Sequence, residues 1–314
     1  MKTILVIAFK YNDILYSLAT EEYKSCDYRK LLIVYASGKN PDNFPCQNLF
    51  DEVLHIPYID GNWNMPSNLY KIFSNRKFLK SDIITLSNPV LLVNKYIFKL
   101  SGATSAVWVE DGLMNYYLLK DISEGGNKAL KRLVEYALRV VDIDKSAQKL
   151  STYLLEPNSA MSYWGTRHKM SLDNDLVNKL PLDSLAFLEN NKIFVGQPLY
   201  LSGKISIEKY NNEVNKLIAQ ESIDYYLPHF WASKEEKICC KSFSLDEYHV
   251  TLEFLACKYS FEVYSISSSL LYTTKLLNKN VKTHMVDING LASNHAIIRN
   301  NIDDVITILN TNKS

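Results

Sequence analysis

Residues 1–13 read MKTILVIAFKYND, and within them Thr3–Phe9 is a seven-residue apolar run rich in β-branched side chains. A strand that is apolar at every position, instead of at every second one, is covered on both faces, as in a parallel sheet. The run is too short to cross a bilayer, and no small-residue cleavage site follows it, so it reads as a buried first strand. Similar runs recur at Leu31–Ala36, Glu52–Pro57, Asp82–Leu86 and Ala106–Val109, with helix-like stretches between them. This alternation predicts an α/β fold with a parallel sheet. Gly38-Lys39-Asn40-Pro41-Asp42 marks a turn after the second strand.

Asn127 to Val141 places Leu130, Leu133, Val134, Ala137, Leu138 and Val141 on one helical face. That pattern is shared by an interfacial membrane helix and by a helix packed on the sheet, of which packing is the reading preferred. Asp142 to Asn191 is less regular, with Pro157, Gly165 and Pro181, and reads as a connection. The strand rhythm then resumes at Lys192–Val195, Tyr225–Leu227, Lys237–Cys240, Phe261–Ile266 and Lys282–Val286. The expected organisation is a Rossmann-like unit over 1–150, a connection over 151–190 and a second Rossmann-like unit over 191–314. Two such units facing across a cleft describe the glycosyltransferase-B architecture. In open α/β sheets, ligands sit beyond the carboxyl ends of the strands, so chemistry is sought there.

Composition narrows the field. In 314 residues, 47% are apolar and 22% charged, as in ordinary globular chains. Lys plus Arg total 35 against 34 Asp plus Glu, which gives no basic footprint for general nucleic-acid binding. Local basic stretches remain at Asn75–Lys80 and Lys128–Arg139. Cys26, Cys46, Cys239, Cys240 and Cys257 are odd in number and lack CxxC spacing, against a disulfide framework or a zinc site. Reduced thiols and a cytoplasmic location are expected. No run of about 18 apolar residues offers a membrane span.

Three segments at expected strand ends carry candidate chemistry. Val107-Trp108-Val109-Glu110-Asp111-Gly112 ends a strand in adjacent carboxylates, which could share hydrogen bonds so that one serves as a base. Asp-Gly is also a common solvated turn pair. Asp224-Tyr225-Tyr226-Leu227-Pro228-His229-Phe230 sets a histidine after a short strand, fit to contact a phosphate or protonate a leaving group, or simply to pack. Val263-Tyr264-Ser265-Ile266-Ser267-Ser268-Ser269-Leu270-Leu271 runs from a strand into a helix, where hydroxyls and backbone N–H groups suit an anion. Helix capping needs only one of these serines.

In order and placement, the acid pair, the histidine and the serine cluster resemble the motifs of bacterial sialyltransferases. Among these, the chain resembles the lipooligosaccharide and capsule enzymes of glycosyltransferase family 52. Phe194-Val195-Gly196-Gln197-Pro198-Leu199 is similar to that family as well. The resemblance spans the whole chain in motif order, though only about 20 residues carry it. It implies that Asp111 is the general base, supported by Glu110, with Gly112 keeping the loop tight. His229 would contact the donor phosphate and assist departure of cytidine monophosphate (CMP), beside Pro228. Ser267, Ser268 and Ser269 would hold the same phosphate, and Gly196 and Gln197 would flank the donor. The family inverts configuration, needs no metal and uses CMP-sialic acid as donor, with galactose-terminated glycans as acceptors. Its relatives leave room for a homodimer, and the basic stretches leave room for a peripheral membrane contact. One departure stands out: the family has His-Pro, whereas Pro228 precedes His229 here.

Rival readings are a transferase for another nucleotide-activated sugar and a non-catalytic nucleotide- or sugar-binding protein. A glycosidase would want two carboxylates on opposite sides of the bond, and only the adjacent Glu110–Asp111 pair is evident. No GxGxxG follows the first strand, where Phe9-Lys10-Tyr11-Asn12 stands, and no GxxxxGK[ST] occurs.

Overall fold

The structure, a computed structural model, describes residues 1–35, 44–59, 64–112, 114–116, 128–229, 231–266, 268–288, 290–292 and 296–308. The Gly38–Asp42 turn, Phe230 and Ser267 lie outside the described residues. The chain forms two compact units, Met1–Leu180 and Pro181–Ser314.

In the first unit the strands are β1 (Lys2–Ala8), β2 (Tyr28–Val34), β3 (Glu52–His55), β4 (Ile83–Leu86), β5 (Ser105–Val109), β6 (Lys149–Leu154) and β7 (Thr166–Lys169). They lie in the order β3-β2-β1-β4-β5-β6-β7, every pair parallel. The helices that bear on function are α1 (Tyr11–Leu18), α2 (Met65–Ser74), α3 (Leu92–Ser101) and α4 (Lys128–Ala137). Ile4, Leu5, Val6, Ile7 and Ala8 are all buried, so successive residues of β1 meet cover on both faces. Leu31, Leu5, Ile84 and Ala106 stand in register across four strands and belong to one core. Burying each large aliphatic side chain there contributes roughly 1.5–3 kcal/mol.

The second unit repeats the plan. Its strands are β8 (Lys192–Val195), β9 (Tyr225–Leu227), β10 (Lys241–Ser242), β11 (Glu262–Ser265), β12 (Lys282–Ile288) and β13 (Asp304–Ile308). The order is β10-β9-β8-β11-β12-β13, again parallel throughout. Tyr226, Phe194, Tyr264 and His284 occupy one register row across four strands. Phe194 stacks on Tyr226 at 6.1 Å and Tyr264 on His284 at 4.4 Å, a ladder of rings beneath α5 (Ile207–Glu221). The Ser206 hydroxyl caps α5 by accepting the Lys209 N–H at 3.2 Å. The last helix used below is α6 (Ser269–Leu277).

Both sheets therefore follow the 3-2-1-4-5-6 strand order of the Rossmann fold, the first with one strand more. Their switch points lie between β1 and β4 and between β8 and β11.

The structure departs from the sequence expectations at the sheet margins. The stretch 151–190, expected as a connection, begins inside β6 and contains β7, and the units divide between Leu180 and Pro181. β10 lies at Lys241–Ser242 instead of Lys237–Cys240, and β13 was not foreseen. β7 and β10 are short and carry no apolar run, whereas β13 holds Val305-Ile306-Thr307-Ile308 but buries only its last residue. The helix expected over Asn127 to Val141 is α4, but its packed stripe is narrower than expected. Val134 and Leu138 join the core, whereas Leu133 is 65% and Val141 55% exposed. Polar ties set that orientation: Lys95 pairs with Glu135 at 2.8 Å, and the Lys99 Nζ donates to the Leu138 carbonyl at 2.5 Å.

β6 is joined to the chain before β7 by Thr152, a fully buried residue. Its Oγ1 donates to the Trp164 carbonyl at 2.9 Å and accepts the Trp164 N–H at 2.6 Å, and Trp164 packs on Trp108 at 5.3 Å. Thr152→Val keeps the shape and strands both backbone groups. Urea unfolding is expected to show a loss of about 2 kcal/mol.

Candidate active site

Each sheet brings its sequence-selected residues to the carboxyl ends of its strands. In the first unit, β5 ends in Glu110 and Asp111, and successive side chains leave an extended chain on opposite sides. Glu110 is fully buried. Its Oε2 accepts the Leu155 N–H at 2.8 Å, and the Tyr116 hydroxyl donates to both of its oxygens at 3.0 and 3.1 Å. Burial pushes its carboxyl up to about 8, against the pull of the Leu155 and Tyr116 hydrogen bonds. Glu110 is therefore largely protonated at neutral pH.

Asp111 faces the other way. Its Oδ1 forms an ion pair with the Lys10 ammonium, and its backbone N–H donates to the Asn115 Oδ1 at 3.1 Å. Asn115, itself buried, donates through Nδ2 to the Ser162 carbonyl at 3.3 Å, which fixes the turn. Gly112 has φ +56°, a left-handed conformation that glycine adopts without a Cβ clash.

Lys10 precedes α1 at the end of β1. It is set by Asp13 in the first turn, whose Oδ2 accepts the Phe9 N–H at 2.7 Å and the Lys10 N–H at 3.0 Å. Asp13 is fully buried, and burial raises its carboxyl above the ordinary range while the Lys10 ammonium pulls it down. The expected sharing of hydrogen bonds between Glu110 and Asp111 does not occur: Glu110 braces the strand end from inside, and Lys10 is the partner of Asp111. No motif in the sequence points to Lys10. The signal was its place, in the loop after the first strand where a glycine-rich phosphate loop would otherwise stand.

In the second unit, Gly196 and Gln197 follow β8, Pro228 and His229 follow β9, and Ser268 and Ser269 follow β11. These are three neighbouring strands of one sheet. A Cβ at Gly196 would collide with the Tyr226 hydroxyl, so close packing on that ring requires glycine here. The Gln197 N–H donates to the Tyr210 hydroxyl at 3.1 Å. Ser268 caps α6, its hydroxyl accepting the Leu270 N–H at 3.3 Å, and Ser269 is the first residue of that helix. The buried Ser265 donates to the Val195 carbonyl at 3.0 Å and ties β11 to β8.

His229 accepts the Trp231 N–H on Nδ1 at 3.2 Å, which assigns the ring proton of the neutral form to Nε2. Partial burial lowers its pKa, opposed by the Glu236 carboxylate. Glu236 anchors the loop that follows: the Tyr200 and Tyr226 hydroxyls each donate to it at 2.6 Å. Asn211 and Asn215 of α5 hold the same loop, accepting the N–H groups of Lys237 at 3.2 Å and Cys239 at 2.7 Å. Neither Glu236 nor these tyrosines were singled out in the sequence, because their spacing follows no motif. Among the described residues, no group of three or more His, Cys, Asp or Glu is placed to hold a metal ion.

No family model and no curated protein matches the chain. Solved structures do. UDP-GlcNAc 2-epimerase from Methanocaldococcus jannaschii is similar at TM-score 0.53 and 12% identity, covering 98% of this chain and 89% of its own. S. aureus MnaA with UDP gives TM-score 0.52 and 12% identity, covering 91% and 79%. Neisseria meningitidis UDP-GlcNAc 2-epimerase bound to UDP-GlcNAc gives 0.52 and 12%, covering 91% and 83%. The fold is of the glycosyltransferase-B type. In such Rossmann-like units, both residue clusters lie at the strand ends where ligands are received.

Glu110 gives the first unit a titration signature. Its proton is retained in the folded chain up to about pH 8, whereas an unfolded glutamate releases it near the ordinary value of 4.5. Folded-state stabilisation from this group is complete below that lower value and is lost as pH rises toward 8. Subtracting unfolding curves of Glu110→Gln from wild type should expose a negative slope of stability with pH across this window. Parallel curves would show that Glu110 ionises freely.

Proposed function

We propose that the chain is an inverting, metal-independent sialyltransferase, moving sialic acid from CMP-sialic acid to a terminal galactose-type sugar of a bacterial surface glycan, capsule or lipooligosaccharide. The observation that carries this reading is the environment of Asp111. It is a carboxylate at a strand end beside the switch point, held through Oδ1 by Lys10, while its neighbour Glu110 is buried. The fold supports a nucleotide-sugar donor, since two similar structures hold UDP and UDP-GlcNAc. The choice of CMP-sialic acid rests on the resemblance of the motifs around Asp111, His229 and Ser267–Ser269 to the sialyltransferases. A cytoplasmic location follows from the same reading, because nucleotide-activated donors are made there.

In the proposed reaction the acceptor hydroxyl oxygen attacks the anomeric carbon of sialic acid from the face opposite the phosphate. The anomeric C–O bond breaks with its electron pair going to CMP, and the hydroxyl proton passes to Asp111 through Oδ2. Lys10 orients the carboxylate from the Oδ1 side. His229, kept neutral by burial with its proton on Nε2, donates a hydrogen bond to the CMP phosphate as charge builds there. The Ser268 hydroxyl, although it accepts the Leu270 N–H, still has its own hydrogen to donate. The donor then occupies the second unit and the acceptor the first.

A second reading, a UDP-GlcNAc 2-epimerase, is favoured by two of the similar structures. Incubating the protein with CMP-sialic acid and lactose, and separately with UDP-GlcNAc, each in EDTA, separates the two. The transferase reading expects CMP release matched by sialylated product, and a drop in kcat/KM of about 10²–10⁴-fold in Asp111→Asn. Calorimetric CMP binding by that variant should persist. Epimerised UDP-GlcNAc without CMP release would establish the second reading, and full activity of Asp111→Asn would remove the proposed base.

A further inference from the structure

One face of the first unit gathers cations and large apolar side chains that the strand-end site does not use. Arg76, Lys77, Lys80 and Lys99 are exposed and line one cleft of about 410 Å³ with Leu100. Among the described residues, no carboxylate lines it. On one side, α2 exposes Tyr70 and Phe73, and the Arg76 guanidinium lies over the Phe73 ring at 4.5 Å. On the other, Lys99 reaches the Leu138 carbonyl and so joins the cleft to the end of α4. There Leu133 and Tyr136 are 65% and 85% exposed, between the exposed Arg132 and Arg139. The nearby acids Glu135 and Asp142 are engaged by Lys95, each at 2.8 Å.

A single exposed aromatic side chain is ordinary, whereas aromatic and leucine side chains interleaved with arginine and lysine on adjoining elements form an interfacial pattern. We propose that this face rests on an anionic lipid bilayer. Arg76, Lys77, Lys80 and Lys99 take the phosphodiester headgroups, and Tyr70, Phe73, Leu133 and Tyr136 enter the boundary between headgroups and acyl chains. Charge complementarity selects this occupant. Lysine is depleted from the cores of protein–protein interfaces, yet three of the four cations in the cleft are lysines. In a chain of formal charge +1, these six cations on one face leave the remaining residues net negative, which turns the face toward an anionic surface. The contact is peripheral, since among the described residues no helix is long and apolar enough to cross a membrane. It depends on neither the donor nor the acceptor proposed above.

The test is sedimentation of the full chain with sucrose-loaded vesicles. One set is phosphatidylcholine alone, and the other contains about one third phosphatidylglycerol, each at low and high salt. The wild type is expected to bind the anionic vesicles at least about tenfold better than the neutral ones, and to lose this advantage in high salt. Arg76→Gln/Lys77→Gln/Lys80→Gln and Leu133→Ser/Tyr136→Ser should each weaken binding by about tenfold or more while circular dichroism shows unchanged melting. Lys204→Gln/Lys216→Gln/Lys279→Gln, which removes the same charge from the second unit, should bind as wild type does. Three results would overturn the proposal: no binding to anionic vesicles, equal loss in the second-unit variant, or release by millimolar inorganic phosphate at constant ionic strength. The last would make the cleft a site for a soluble anion.

Discussion

A parallel sheet buried on both faces leaves little room for polar chemistry except where its strands end, and much of this protein follows from that constraint. In the first unit five consecutive residues of β1 are buried, as are all residues of β4. The candidate side chains, Lys10 and the Glu110–Asp111 pair, accordingly stand just after β1 and β5. The second unit does the same with β8, β9 and β11. Because both sheets reverse direction at their first strand, each has one switch point around which its candidate residues collect.

Glu110 and Asp111 show how sharply position on the strand separates two chemically similar groups. One step along an extended chain turns the side chain to the opposite side. Glu110 falls inward, where loss of water favours its neutral form and Tyr116 and Leu155 satisfy its oxygens. Asp111 falls outward onto Lys10. The lysine is in turn placed by Asp13, whose carboxylate closes the β1–α1 turn by accepting two successive backbone N–H groups. The arrangement links the ends of β1 and β5 through side chains far apart in sequence, and Lys10 is its most exposed member.

The second unit positions its histidine differently. His229 lies in a loop after a strand of three residues, and the loop is restrained from behind by Glu236 and the tyrosines that donate to it. Tyr226 serves twice: its ring stacks in the core ladder and crowds Gly196, and its hydroxyl reaches Glu236. Packing of the sheet and shape of the loop are thus coupled through one side chain. That coupling gives the Pro228-His229 segment a defined place despite its inverted order relative to the sialyltransferase motif.

How much of this was legible in the sequence depended on range. Continuous apolar runs are a local signal, and they marked the central strands of both sheets, with Lys192–Val195 and Tyr225–Leu227 placed to the residue. Edge strands such as Thr166–Lys169 and Lys241–Ser242 bury less and carry no such run, so they emerged only with their partners in place. The same holds for the candidate site. The sequence by itself determined that carboxylates, a histidine and serines follow apolar strands. The tertiary structure decided which carboxylate is buried, that Lys10 meets Asp111 and that Glu236 anchors the loop of His229. It also decided that Leu133 faces solvent in place of the core. Burial and ion pairing join residues about a hundred positions apart, as between Lys10 and Asp111, and no local pattern in the chain encodes them.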